Sequence, residues 1–456
     1  MRSLTCVLPI EISTRDLDPK LLLAVELAKR GFPVLLGGKG QVRSTAKEHA
    51  PYLYFDKGSA AGPGMYRDIV ESGGKVVMLD DEGGIVENGM FTLLVRYPEE
   101  VLPFYSLVFC WGEKTRDCLL ERKPLLGEVI TAVVGHPKFD LSLPRYRPLY
   151  ADGVAGLRAK YGDFVLINTS FAYANHFLSY EEGIRPLPGH FGLEDPLKDY
   201  VDEGYYRLII YYFIRAIRRL ARKFPETGFV LRPHPSENPE HYKRFLAEHG
   251  NVHVIYCGDV HEWILASKAV MHHDCTTGVE SALAGVPTVS YVPIADNDFA
   301  PPLPMAISDN ARNEEELLDL VASYLTRPAG APEWQPRNAH VLSSWLANTR
   351  QSSSNAIATV ISERCDELVG TVTKPRRRSL STMAGQVLKK TVGIPAALKG
   401  ARMRRYVKHK RANSFPEKLL DSRIRFFREV QNAPQVSWRS LRGGVILIEP
   451  GCSHAE

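Results

Sequence analysis

Two stretches of one construction lie between Phe229 and Val292. FVLRPHPSEN (229–238) and AVMHHDCTTGVESALAGVPTVSYV (269–292) each open on an apolar or β-branched run, pass through a polar loop and end in an amphipathic segment. That is the βα unit of a parallel sheet. Ligands of such sheets bind beyond the carboxyl ends of the strands. His234 falls at one of these ends, and Thr276 with Thr277 at the other.

The same alternation runs through the chain. LTCVLP (4–9) predicts a strand and 18–30 an amphipathic helix closed by Gly31. PVLLGG, YLYF, KVVMLD (75–80), SLVFCWG (106–112) and VITAVVGHPKFD (129–140) continue the series, with a helix near 64–71. The Pro-rich SLPRYRPLY (142–150) predicts a linker. The pattern then restarts with the strand FVLINTSF (164–171) and a long helix over 200–223, and 313–325 predicts a last helix with acids in its first turn. No repeat at solenoid periods interrupts this order. At 456 residues the chain is too long for one ordinary core. The expected fold class is α/β and GT-B-like: two Rossmann-like parallel-sheet domains, 1–145 and 146–370, facing a central cleft, plus a basic C-terminal extension, 371–456.

Seven scattered cysteines without CxxC spacing argue against a disulfide framework or zinc module and fit a reducing cytoplasm. No apolar run is long enough to span a bilayer, and the amino terminus lacks an export signal. The net charge of +5 is local in origin. Residues 374–411 hold thirteen Lys or Arg and no Asp or Glu, interleaved with short apolar patches, so the remainder is acidic. Such a segment suits an anionic membrane surface. A solvated tail is the plain alternative, and no nucleic-acid signature accompanies the charge.

Three motifs carry chemistry. In RPHP, Pro233 and Pro235 stiffen the loop around His234, an imidazole able to donate to or protonate a leaving phosphate, and Arg232 is placed to reach the same anion. In HHDCTTGVESALAGVP, Thr276, Thr277 and Gly278 stand where a helix begins, a site for phosphate, with Glu280 available to a ribose hydroxyl. Ordinary N-capping is the competing reading. His272, His273, Asp274 and Cys275 alternate across a strand and do not converge on one metal ion. In LDDEGG (79–84), Asp81 or Glu82 can serve as base or nucleophile, while Gly83 and Gly84 leave the backbone open to a ligand. Trp111 and Gly112 end a strand and are expected to line the cleft, and Asn168 and Thr169 lie in a nucleotide-facing loop. Neither a Walker loop nor a GxGxxG fingerprint is present.

Taken in order, EISTRDLDPKLLLAVELAKRG, DDEGG, WGE, GHPKFDL, FVLINTSFAYAN and HHDCTTGVESALAGVP resemble the bacterial surface carbohydrate biosynthesis family over about residues 4–370. That family is similar in turn to GT-B enzymes using CMP-activated acidic sugars, the bacterial sialyltransferases and capsular Kdo transferases. The matching positions are Asp81-Glu82-Gly83, His234-Pro235 and Thr276-Thr277. The resemblance implies transfer of a Kdo-, sialic- or legionaminic/pseudaminic-type sugar from a CMP donor to a glycan or lipid-linked acceptor. An acid of the first motif would act on the acceptor hydroxyl or the anomeric carbon, His234 would assist departure of CMP, and the threonines would hold its phosphate. No metal and no cofactor beyond the donor are expected, and the expected location is cytoplasmic, peripheral on the membrane. The run Asp80-Asp81-Glu82 is one acid longer than the motif, and His136 stands where the pattern has Asn. Rival readings are a CDP-glycerol-type polyol-phosphate transferase, a UDP-sugar 2-epimerase and a non-catalytic scaffold on the membrane.

Overall fold

The computed structural model describes residues 4–58, 62–84, 96–179, 197–273, 275–294, 302–328, 332–370 and 415–451, with side chains of the long helix from residue 203 onward. The expected basic segment 374–411 and Asp274 lie outside the described residues.

Two Rossmann-like α/β sheets are present, as the alternating pattern predicts. The strands of the first are β1 (Thr5–Ile10), β2 (Val34–Gly38), β3 (Tyr52–Asp56), β4 (Gly74–Leu79), β5 (Tyr105–Cys110) and β6 (Ile130–Val133), joined by β13 (Ser437–Ser440) and β14 (Ile446–Glu449). Their order is β13-β14-β2-β1-β3-β4-β5-β6. The second sheet holds β7 (Phe164–Asn168), β8 (Gly228–Arg232), β9 (Val252–Val254), β10 (Ala269–His272), β11 (Thr288–Tyr291) and β12 (Asp309–Ala311), in the order β12-β11-β10-β7-β8-β9. Every pair in it is parallel. Strands such as TCVLPI and FVLIN are buried along their whole length, which is why they read as apolar runs rather than alternating ones.

The chain divides into two compact units, Met1–Leu79 with Glu99–Val108 and Ser354–Glu456, and Asp80–Pro98 with Phe109–Ser353. In the first unit, the helix Ser13–Lys29 begins five residues before the predicted start. The Asp16 carboxylate accepts from the backbone N–H groups of Glu11 and Ile12 (2.9 and 3.0 Å), capping the turn without a Ser, Thr or Asn at the cap itself. Gly31, at φ +93°, ends the helix as read.

The C-terminal residues depart from the expected extension. Residues 415–451 form the helix Glu417–Val430 and the β13–β14 pair, and β14 runs antiparallel to β2, with Ile446 opposite Leu36 and Ile448 opposite Val34. Leu420, Ile424 and Phe427 are buried on one face of that helix. Its end is fastened to Ser13–Lys29 by Gln431, whose Nε2 donates to Leu22 O (3.1 Å) and whose carbonyl accepts from Lys29 Nζ (2.8 Å). A strand added to a parallel sheet by antiparallel pairing removes an exposed edge of β2.

In the second unit, the predicted linker 142–150 is a packed 3-10 turn, Pro144–Tyr150, with Tyr146 and Tyr150 buried, running directly into the helix Ala151–Tyr161. The helix Glu314–Leu325 starts as predicted. Asn313 accepts from Glu316 N (2.9 Å) while the Glu316 carboxylate takes the Arg312 N–H (2.8 Å), a reciprocal cap.

The chain leaves β7 for β8 and then β9 on one side, and returns to place β10, β11 and β12 on the other. The strand order therefore reverses between β7 and β10, and the crevice beyond their carboxyl ends is where such sheets take ligands.

Phe427 fixes the returning helix. Phe427→Ala should lower stability by about 3–5 kcal/mol, whereas Leu419→Ala, at an exposed position of the same helix, should stay within about 0.5 kcal/mol. Urea unfolding of the two variants measures the difference.

Candidate functional site

Three loops leave adjacent carboxyl ends in the second sheet: 169–171 after β7, 233–238 after β8 and 273–275 after β10. Asn168 is level with Arg232 in the sheet register, and Ile167 with Met271. The predicted Asn168, His234, Thr276 and Thr277 thus stand on neighbouring strands or at the helix start beyond them.

The His-Pro loop is built around a residue that the sequence gives no reason to single out. Glu237 is buried, and its Oε1 accepts from Thr169 Oγ1 (2.8 Å), Phe171 N (3.1 Å) and His234 N (3.0 Å), while Oε2 accepts from Tyr242 OH. Burial raises the carboxyl pKa, opposed by those hydrogen bonds. Main-chain bonds also tie the His-Pro loop to the short helix Ala172–Asn175 and the residues after it, from Phe177 N to Ser236 O (2.9 Å) and from Asn238 N to Asn175 O (2.9 Å). Thr169 spends its hydroxyl on Glu237 and so shapes the loop from within. The only sequence signal for Glu237 is its place three residues after His234, where a carboxylate can turn back on the loop.

His234 is half-buried, and its Nδ1 accepts from Ser236 N (3.2 Å), with Pro235 bridging the two. An Nδ1 that accepts leaves the ring proton on Nε2, so the imidazole presents a donor there.

The helix Thr276–Leu283 starts at Thr276, so Glu280 lies in its second turn. Cys275 precedes it with no side-chain cap. The Thr277 hydroxyl and the Asn168 amide nitrogen are both buried and have no hydrogen-bond partner among the described residues. Buried polar atoms are ordinarily bonded, and these two flank the reversal of strand order.

Other predicted members serve elsewhere. Arg232 is buried and donates from Nη2 to Cys257 O (3.1 Å) and Gly258 O (3.0 Å), with the Tyr256 and Trp263 rings 5.7 and 5.5 Å from its guanidinium carbon. Burial lowers its pKa. It braces the loop after β9 and does not turn toward the His234 loop, since it finds carbonyl partners on that side. Gly278 is required by packing: a Cβ there would sit 2.4 Å from His272 Nε2. Glu280 is buried, with Oε2 3.8 Å from His261 Nε2, and is not presented to a ribose at the surface. His272 meets Ser308 Oγ (2.9 Å), and Ser308 in turn donates to Pro304 O (2.7 Å). His273 lies between Tyr205 OH and Tyr291 O (both 2.8 Å). No cluster of metal-ligating side chains occurs among the described residues.

The acidic turn resolves into three different carboxylates. Asp80 is 1% exposed and bound by Arg96, whose Nε lies 2.9 Å from both carboxylate oxygens; it also accepts from Glu82 N (2.9 Å). Glu82 is exposed, 3.0 Å from Arg96 Nη1. Asp81 faces His136, with Oδ1 3.3 Å from Nε2. His136 repeats the His234 arrangement: Pro137 follows, and Nδ1 accepts from Lys138 N (3.2 Å), which leaves the ring proton on Nε2. His136 thus stands beside Asp81.

Trp111 and the glycines pack against one another or against neighbouring chain. Trp111 is fully buried, and its Nε1 donates to Asp80 O (2.7 Å). A Cβ on Gly84 would lie 2.5 Å from the Trp111 ring, and on Gly83 3.3 Å, so these glycines admit an indole rather than a ligand. Gly112 admits the backbone of Trp345, which a Cβ would meet at 2.3 Å. Lys138 completes the turn, its Nζ bonding Asp81 O (2.7 Å) and lying 4.5 Å from the centre of the Trp111 ring.

No protein-family model matches the chain, and no curated protein matches it. Among solved structures, it is similar to a UDP-GlcNAc 2-epimerase from Neisseria meningitidis bound to UDP-GlcNAc, at 12% identity and TM-score 0.45 over 80% of this chain and 100% of that one. It is also similar to the UDP-GlcNAc 2-epimerase of Methanocaldococcus jannaschii (12%, TM-score 0.49, 79% and 99%). A third is the wall teichoic acid polymerase TagF soaked with CDPG (9%, TM-score 0.45, 80% and 90%).

Two measurements test this geometry. Arg96→Met leaves the buried Asp80 carboxylate without its guanidinium and should cost about 3–5 kcal/mol in urea unfolding. His272, pushed down to about 3 by burial and then by neighbouring His273, is neutral when folded but takes up a proton near pH 6.5 when unfolded. Its contribution is therefore complete above about pH 6.5 and is lost as pH falls toward 3. His272→Gln should flatten the fall of urea midpoint across that window.

Proposed function

We propose that the chain is a glycosyltransferase moving an acidic ulosonic or nonulosonic sugar, of Kdo, sialic or legionaminic/pseudaminic type, from a CMP-activated donor to a glycan or lipid-linked acceptor. The observation that carries the reading is the donor set at the reversal of strand order. It consists of an imidazole with its proton on Nε2, the Thr276 and Thr277 hydroxyls at a helix start, and the Asn168 amide, two of these polar atoms being buried without partners. Arg232 is committed to Cys257 and Gly258, and the three loops contain no other Lys or Arg. One imidazole, hydroxyls and a helix end suit a single phosphate; a diphosphate brings more charge and asks for cations.

In this reading the helix start and Thr276 and Thr277 hold the phosphate. His234 donates from Nε2 to the oxygen that leaves the anomeric carbon, so negative charge does not accumulate on the departing nucleotide. Of the three acids, Asp80 is held by Arg96 and serves structure. Asp81, with Oδ1 3.3 Å from His136 Nε2, is the acid assigned to the acceptor hydroxyl or the anomeric carbon, and Glu82 borders it. Residues 374–411 place the protein on the cytoplasmic face of an anionic membrane, each Lys or Arg near the surface contributing roughly 1 kcal/mol.

Thermal shift against CMP, CDP and UDP tests the donor, with CMP expected to stabilise most. Preference for UDP would favour a 2-epimerase, preference for CDP a polyol-phosphate transferase, and no response a scaffold. With CMP-Kdo, CMP-sialate and CMP-legionaminate plus lipid-linked glycan, wild-type protein should release CMP. His234→Ala should reduce the rate by about 10²- to 10⁴-fold while retaining its fold by circular dichroism.

A further inference from the structure

Arg232 points to a part of the site that no motif announced. Beyond β9 the chain passes through Ile255, Tyr256, Cys257 and Gly258 before the helix Val260–Ala266. Two donors fix the Cys257 carbonyl, Arg232 Nη2 at 3.1 Å and Trp263 Nε1 at 2.8 Å, and Arg232 Nη2 also reaches Gly258 O (3.0 Å). Gly258 takes φ +68°, the left-handed conformation that this tight passage needs. The loop is rigid, yet Tyr256 is 41% exposed. Among the described residues it is the only large hydrophobic side chain so exposed in a loop at the carboxyl edge of the second sheet. The Arg232 guanidinium carbon, 5.7 Å from the ring centre, steadies the ring.

Neighbouring strands lie about 4.8 Å apart, so β9 is about 10 Å from β7 along the sheet edge. A phosphate held at the reversal between β7 and β10 leaves the ribose over the β8 loop, where His234 stands, and the base over the loop after β9. We infer that Tyr256 is the stacking platform for the nucleobase of the donor, held in place by Arg232 from within the protein. This assignment rests on the proposed nucleotide site and adds the residue that tells a nucleotide from a sugar phosphate. Stacking on a tyrosine is tolerant of the base, so Tyr256 supplies affinity for a base as such.

Binding of CMP and of ribose 5-phosphate, which lacks a base, is measured by calorimetry on wild-type protein, Tyr256→Ala and Tyr256→Phe. Tyr256→Ala is expected to weaken CMP about five- to hundredfold and leave ribose 5-phosphate unchanged, while Tyr256→Phe binds both as wild type does. Unchanged CMP affinity in Tyr256→Ala overturns the platform and leaves the nucleotide site standing. Equal loss of both ligands, or loss with Tyr256→Phe, also overturns it, since the loop or the hydroxyl would then be responsible. Failure of the wild-type protein to bind CMP overturns the nucleotide site and the platform together.

Discussion

One buried carboxylate determines the shape of the candidate site. Taking a carboxylate out of water costs several kcal/mol unless its oxygens are bonded, and Glu237 meets this condition by accepting from Thr169, Phe171, His234 and Tyr242. These donors come from the loop after β7, the loop after β8 and the helix Pro239–Leu246. Their convergence ties the two loops into one body. The position of the His234 ring then follows from covalent geometry: Pro233 and Pro235 limit the backbone, Glu237 holds its N–H, and Ser236 N fixes Nδ1. A side chain prepared in this way loses little entropy when a ligand arrives.

The acidic turn is organised by an aromatic ring instead. Trp111 holds Asp80 O through its indole N–H, lies against Gly83 and Gly84, and carries Lys138 above it. With the backbone of the turn fixed, the three side chains separate by environment. Asp80 goes inward to Arg96, Glu82 outward to solvent, and Asp81 toward His136. A run of acids that sequence treats as equivalent thus has three distinct roles, and the difference arises from residues 96, 111 and 136 rather than from within the motif.

That contrast shows what the sequence could disclose. Periods and punctuation are local, so the parallel strands, the Gly31 stop, the helix over 313–325 and the position of His234 and Thr276 at strand ends were all legible. Direction of a side chain is not local. Arg232 carries the same charge whether it meets a phosphate or the carbonyls of Cys257 and Gly258, and only the course of the chain after β9 decides between them. A glycine after a strand end likewise reads as open backbone until Trp111 or Trp345 is found against it. Pairing of β14 with β2 joins residues some four hundred apart, which no window of sequence can reveal. Glu237 and Tyr256 were invisible for the same reason, since each owes its role to partners on other loops.

The returning C-terminal residues change the meaning of the basic segment. Residues 354–370 and 415–451 both belong to the first compact unit, so 374–411 connects two anchored stretches and is not a terminal tail. A segment fastened at both ends brings its unit with it when it meets a surface. Its thirteen cations act at an effective concentration set by the length of the span. Closing a loop of this size costs only slowly increasing entropy as length grows, and that cost is already met by folding of the flanks. The packing of Ile424 and Phe427 within the first unit is therefore also what makes 374–411 a span between two anchored stretches.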